Sequence, residues 1–202
     1  MERIDNRALF KISYGLFAVT CNDGERDNGL IVNTVLQQTS SPLVLSVTIN
    51  KQNYSHDVIK STGKLNINCL NTNTPFDIFE KLGFRSGRDT DKLKDVFHWK
   101  SQNGLAVLSG EIVNAFFSCR VFEYIDLGTH GLFLCKVTEA VEMGNEESMT
   151  YDYYHKNVKP KKNTQKKGFV CKICGYVHEG DTLPEDFVCP ICKHGAVDFE
   201  RL

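Results

Sequence analysis

The chain has 202 residues, 41% of them apolar and 24% charged, with a formal net charge of −1. These proportions fit one or two globular domains, exclude wholesale disorder, and point to neither a polyanionic nor a polycationic partner. No apolar run reaches the roughly 18 residues of a membrane helix, and the opening MERIDNRALFKISYG lacks the layout of a signal peptide, so the sequence predicts a cytoplasmic protein.

Residues 28–42 are rich in Asn, Thr, Gln and Ser and read as a polar loop. The alternation that follows over residues 43–49 predicts a half-buried strand. A helix is predicted over 55–61, a strand over 64–70, and a second helix over 75–82, with Thr74 as cap and Pro75 in the first turn. Further strands are predicted over 105–113, 115–124 and 132–141, separated by Gly or Asn. Many short strands with few helices indicate a mainly β fold, a β-barrel rather than a doubly wound α/β sheet. No G-x-G-x-x-G is present, which argues against a Rossmann-type nicotinamide domain. Cys21, Cys69, Cys119 and Cys135 each alternate with apolar neighbours and are expected to pack as small hydrophobes. Tyr151, Tyr153 and Tyr154 are expected in core or interface packing.

The composition then changes. Residues 155–168 (HKNVKPKKNTQKKG) hold six lysines and no acid, a solvated linker pattern. Residues 1–155 carry −4, residues 156–168 carry +6 and residues 169–202 carry −3. The near-neutral total therefore divides into two acidic bodies, 1–155 and 169–202, joined by a basic tether at 156–168.

The tail holds two C-x-x-C pairs, Cys171/Cys174 and Cys189/Cys192, separated by fourteen residues. Four thiolates so spaced can occupy the corners of a tetrahedron around iron or zinc. A redox disulfide is the alternative for one cytosolic C-x-x-C, but two pairs in one short segment favour metal. Gly175 suits the tight turn after Cys174, and Pro190 stiffens the second turn. Spacing alone does not choose between the metals.

The surrounding residues do. Cys171-x-x-Cys174-Gly175-Tyr176, Pro184-Glu185-Asp186-Phe187-x-Cys189-Pro190-x-Cys192 and Phe199 make residues 169–202 closely similar to rubredoxins. The resemblance implies one iron on Cys171, Cys174, Cys189 and Cys192, cycling between ferric and ferrous, above a small aromatic core of Phe169, Tyr176, Phe187 and Phe199. The chain departs from that pattern at Phe187, where tryptophan is usual, at Lys193, where glycine is usual, and in a shorter loop between the pairs. The competing reading is a structural zinc ribbon that binds protein or nucleic acid. The acidic tail would repel a phosphate backbone, so iron is favoured and no nucleic-acid or membrane partner is expected.

An iron–thiolate centre takes one electron and cannot accept a hydride, so the first domain is expected to supply a flavin. Residues 33–42, Ile49-Asn50-Lys51-Gln52-Asn53-Tyr54-Ser55-His56, Gly83-Phe84-Arg85-Ser86-Gly87-Arg88-Asp89 and Leu127-Gly128-Thr129-His130-Gly131-Leu132-Phe133 resemble the flavin reductase family. Its fold is the FMN-binding split β-barrel. The resemblance assigns Asn33, Thr34, Gln37 and Thr39 to the ring and ribityl chain. Asn50, Lys51 and Ser55 lie at the start of the first predicted helix, where free N–H groups favour anions. With Ser86 and Arg88, which suits bidentate phosphate binding, they form the expected phosphate site. Thr129 stands where the family often has aspartate, and Gly131 where it often has threonine. No acid–base dyad is assigned, and His130 is the one candidate catalytic side chain.

The whole chain thus resembles flavin reductase–rubredoxin fusions. That likeness implies hydride delivery from NADH or NADPH to FMN and single-electron transfer to iron. It further implies a flavodiiron oxygen or nitric oxide reductase as acceptor, in anaerobes, and a homodimer. The alternative is a flavin-binding barrel whose zinc-holding tail recruits a partner.

Overall fold

The computed structural model describes residues 8, 11–160, 168–172, 176–189 and 194–202. Strands β1 (Phe17–Asn22), β2 (Asp27–Val32), β3 (Val35–Ser40) and β4 (Leu43–Asn50) lead into helix α1 (Tyr54–Thr62). Strand β5 (Lys64–Leu70), helix α2 (Phe76–Gly83) and the short strands β6 (His98–Lys100) and β7 (Ala106–Leu108) follow. The long strands β8 (Val113–Asp126) and β9 (His130–Glu142) complete a seven-stranded antiparallel sheet in the order β2-β1-β5-β8-β9-β4-β3.

Strand alternation sends two sets of side chains to two cores. Val19 and Cys21 of β1 point to one face and Ala18 to the other. The first core joins Leu30 and Val32 of β2 to Leu45, Val47 and Ile49 of β4, with Ile59 of α1 and Phe133 of β9. Strands five places apart in the sheet share one interior, so the sheet curls on itself as a barrel must. The second core covers the outside of β1 and β5 with Ile78, Phe79 and Leu82 of α2, Leu93, Leu108 and Met149.

Helix α1 starts at Asn53, which is extended (φ −72°, ψ 129°), and stops at Gly63, whose φ of 67° suits glycine. Helix α2 begins one residue later than expected: Pro75 itself is the extended N-cap residue, while the Thr74 hydroxyl donates to Asn71 O and Ile112 O instead. The strand expected over 105–113 is shorter, since only Ala106–Leu108 pairs, with β6. Most of the supposed polar loop is strand: residues 28–32 belong to β2, and β3, exposed along nearly all its length, pairs with β4 through a bulge between Gln37 and Thr39.

After β9 the chain forms a helical turn (Tyr151–Tyr153) and a π-helical turn (Tyr154–Val158). Tyr154 is buried against Phe79 with ring centroids 4.5 Å apart, and Val158 packs on the second core. Residues 156–158, which the charge pattern puts in the tether, are thus held against the barrel. The tail forms a three-stranded sheet, β11-β10-β12, from β10 (Phe169–Cys171), β11 (Val177–His178) and β12 (Phe199–Arg201). Among the described residues no helix is long and apolar enough to cross a membrane.

Candidate functional site: a polar cavity and a buried thiol pair

A cavity of about 550 Å³ opens where the β2–β3 turn, the end of β4, the start of α1 and the end of α2 converge. Asn33 and Thr34 come from the turn, Thr48 and Asn50 from β4, and Asn53, Tyr54 and Ser55 from the start of α1. The loop after α2 adds Phe84, Ser86, Gly87 and Arg88, β9 adds His130, and Leu30, Val32, Phe79 and Tyr154 form apolar wall. Of the residues proposed from sequence, Asn33, Thr34, Asn50, Ser55, Ser86, Arg88 and His130 meet at this wall. Gln37, Thr39 and Lys51 are not among its lining residues. Gln37 and Thr39 are exposed on β3, where the Thr39 hydroxyl donates to Pro42 O at 2.5 Å. The Lys51 ammonium pairs with Asp126 and holds that carboxyl below the usual range.

Local hydrogen bonds shape the wall. The Thr34 hydroxyl donates to Thr48 O at 2.6 Å, closing the turn onto β4. Arg88 is steered to the N-terminus of α1: Nη1 donates to Gln52 O and Nη2 to Asp57, each at 3.2 Å, and its guanidinium lies 5.3 Å from the Tyr54 ring centre. A cation beside a helix start gives this end of the cavity the kind of donors that favour an anion. His130 shares a 2.9 Å hydrogen bond between Nδ1 and Thr129 Oγ1. Behind it, a Cβ at Gly131 would come within 2.4 Å of the Tyr124 ring and 2.7 Å of His56 Nε2. His56 and Tyr124 are themselves hydrogen-bonded at 3.2 Å.

Two buried polar residues were not anticipated as site residues, Asn28 behind the wall and Lys92 in it. Asn28 Nδ2 donates to Ser55 Oγ at 2.8 Å, while its Oδ1 is buried with no partner among the described residues. A Cβ on Gly87 would approach that oxygen to 2.3 Å, so only glycine lets the Arg88 loop close against Asn28. Lys92, 6% exposed, donates to Gly29 O at 2.9 Å and to Leu82 O at 2.8 Å. Burial pushes its ammonium down to about 8, and the two carbonyl acceptors oppose that shift. Burial likewise raises the thiols of Cys21 and Cys135 to about 12 and Cys69 to about 11, and raises Cys119 as well. Cys21, Cys119 and Cys135 are core residues as expected, whereas Cys69 is half-buried.

In the tail, Cys171 and Cys189 are fully buried against Phe199, with Phe169, Tyr176, Leu183 and Phe187 around them. Their backbones follow one pattern: Cys171 N–H donates to Tyr176 O and Cys189 N–H to His194 O, both at 2.8 Å. Each first cysteine is thus tied to the residue five positions on, as two equivalent metal knuckles require. Cys174 and Cys192, with Lys193, lie outside the described residues. Two thiols buried together in an aromatic shell fit a soft-ligand iron or zinc centre. The cavity, with neutral amides and hydroxyls, apolar walls and a cationic end, fits a flat polar heterocycle carrying an anionic tail.

Comparison with known proteins agrees with both halves. Residues 9–162 match the flavin reductase like domain and residues 169–200 the rubrerythrin, rubredoxin-like domain. The chain therefore belongs to the flavin reductase family, with a rubredoxin-like domain at its C-terminal end, and it is an oxidoreductase. Over nearly its whole length it is similar to the high molecular weight rubredoxin of Moorella thermoacetica, 33% identical over 230 residues, covering 98% of this chain and 100% of that one. The ferric-chelate reductase (NAD(P)H) of Archaeoglobus fulgidus is 34% identical over 152 residues, covering 75% of this chain and 89% of that one. The barrel shares its fold with the NADH:FAD oxidoreductase of Streptomyces globisporus C-1027. There the TM-score is 0.66 at 18% identity, over 74% of this chain and 92% of that one.

Proposed function

We propose that the chain is an NAD(P)H-dependent FMN and rubredoxin oxidoreductase, built as a barrel (1–155), a tether (156–168) and an iron domain (169–202). The observation that carries this reading is the gathering of Asn50, Ser55, Ser86 and Arg88 around the N-terminus of α1 at one end of the cavity. It is the arrangement a flavin mononucleotide phosphate needs.

Bound there, FMN supplies the one capacity the chain lacks, accepting two electrons together and releasing them singly. Asn33 and Thr34 would offer hydrogen bonds to its ring system, and Leu30, Val32 and Tyr154 would give it apolar surroundings. Arg88 and the N–H groups of α1 fix the phosphate and so the register of everything attached to it. Hydride transfer asks for orientation more than for an acid or base, so His130 needs no proton-transfer role. Cys171, Cys174, Cys189 and Cys192 would hold one iron, supplying a one-electron centre. The final acceptor is a flavodiiron protein that reduces oxygen or nitric oxide, and the working unit is a cytoplasmic homodimer.

Absorption spectroscopy of protein purified under iron-replete, anaerobic conditions tests the reading. Flavin bands and thiolate-to-iron absorption are expected together, both bleached by NADH or NADPH. A flavin-loaded protein whose tail holds only zinc after such a preparation refutes it. Zinc after ordinary expression does not, because tetrathiolate sites accept either metal. Cys174→Ser is expected to spare flavin reduction and abolish transfer to the acceptor.

A further inference from the structure

Two contacts between barrel and tail are not required by either domain alone. Phe84, in the loop after α2, packs against the tail core of Cys171, Cys189 and Phe199. The same residue lines the cavity, so one aromatic side chain is shared between the cavity wall and the shell of the buried thiols. His194 crosses in the other direction: it belongs to the second knuckle and contributes to the cavity wall. Its carbonyl accepts the Cys189 N–H at 2.8 Å, so a single hydrogen bond separates a cavity-lining residue from a thiol-bearing one. A third contact ties the first knuckle to the chain leaving the barrel, where Lys159 Nζ donates to Lys172 O at 3.0 Å.

We propose that the tail docks across the mouth of its own chain's cavity, anchored by Phe84, and that electrons pass within one chain to the metal through the knuckle of Cys189 and His194. The docking surface stands on the contacts alone, whereas the electron route rests on the function proposed above. Each hydride from a reduced nicotinamide brings two electrons. They leave one at a time, reducing a ferric ion to ferrous twice in succession, with one proton released to solvent per hydride. A chain with one iron must therefore pass the first electron to its acceptor before receiving the second. Phe84 is aromatic, half-buried and set against Phe76 in a tilted ring pair with centroids 6.0 Å apart, so it is braced on the barrel side. It presents an apolar face to a tail of net charge −3. An aspartate at this position would oppose the docking both by lost burial and by charge.

The test uses the full chain, loaded with FMN and iron, without oxygen. Stopped-flow absorbance follows flavin and iron reduction separately after mixing with NADH, and small-angle X-ray scattering reports compactness. In the unmodified chain, iron reduction is expected at a rate independent of protein concentration over a ~100-fold range, from a compact particle. Phe84→Asp is expected to enlarge the particle and to slow iron reduction at least ~10-fold relative to flavin reduction in the same sample. Phe84→Leu is expected to restore both. A hybrid preparation combining Phe84→Asp chains with Cys189→Ser chains separates own-chain from cross-chain docking, because the only intact tail then belongs to the chain with the damaged anchor. Slow iron reduction in the hybrid supports the proposal, and rapid reduction overturns it. A rate proportional to protein concentration, or a Phe84→Asp chain as compact and as fast as the original, also overturns it. Bound iron that reduced flavin never reduces refutes the electron-transfer reading. The scattering comparison then still decides the docking surface.

Discussion

Replacing Gly87 by alanine adds one methyl group to the tightest point behind the cavity. That carbon would lie 2.3 Å from Asn28 Oδ1, 2.6 Å from Cγ and 2.7 Å from Nδ2. Ordinary carbon contacts lie near ~3.5–4 Å, so something must move by about 1 Å. Asn28 cannot turn away freely, since its Nδ2 is bonded to Ser55 at the start of α1 and its body is 3% exposed. The displacement therefore falls on the loop that carries Ser86 and Arg88, or it breaks the Asn28–Ser55 bond. Overpacking of this kind costs about 1–3 kcal/mol, which for a domain of this size lowers the melting temperature by about 2–10 °C. If half of that strain is felt at the phosphate end, FMN affinity falls about 3–10-fold. Flavin fluorescence quenching measures the affinity and circular dichroism the melting. The double variant Asn28→Ala/Gly87→Ala removes the atoms the methyl meets and is expected to be more stable than the sum of the two single changes. A Gly87→Ala protein with unchanged melting and affinity, or strictly additive changes in the double variant, refutes the packing argument.

Other measurements probe separate parts of the structure. Arg88→Ala is expected to weaken FMN binding by about 10–100-fold, the loss of a charge-assisted hydrogen bond, while leaving riboflavin affinity nearly unchanged; equal losses for both ligands would remove Arg88 from the phosphate site. Burial holds the Lys92 ammonium at about 8 in the folded chain, whereas unfolded lysine titrates near ~10.4. The unfolded state thus binds more protons between these values, so folding stability is expected to rise with pH across that window. Comparing denaturant unfolding of the original chain and Lys92→Met from pH 7.5 to 10.5, on a ~0.5-unit grid, isolates this contribution, and parallel profiles contradict it. Buried thiols with raised pKa values predict that Cys21, Cys119 and Cys135 stay unreactive toward a disulfide reagent at pH 8 until the barrel unfolds. Removing the metal with a chelator is expected to lose protection from proteolysis in residues 169–202 while the barrel's melting is retained.

The tail's family was legible because two C-x-x-C pairs at fixed spacing stand out wherever a chain carries them. Strands β4, β5, β8 and β9 were legible because one face of each is apolar. Strand β3 escaped because five of its six residues are exposed, leaving no alternation to read. Asn28 and Lys92 escaped for the opposite reason: a buried asparagine or lysine has the same letter as a solvated one, and its partners are set by the fold. Ser55 is 27 positions from Asn28, and Leu82 is 10 from Lys92. Lys51, read as a phosphate ligand, pairs instead with Asp126, 75 positions away, where β8 ends. The contacts of Phe84 and His194 with the opposite domain belong to the same class of long-range fact.

Gly131 has a bearing on how such a chain can diverge. The space its side chain would fill is already taken by Tyr124 and His56. A threonine there could be seated only if the Tyr124 ring and His56 moved aside or gave way to smaller groups. The three residues therefore form one packed unit, and a graft of threonine at 131 is expected to disturb the His56–Tyr124 pair before it alters any chemistry at His130.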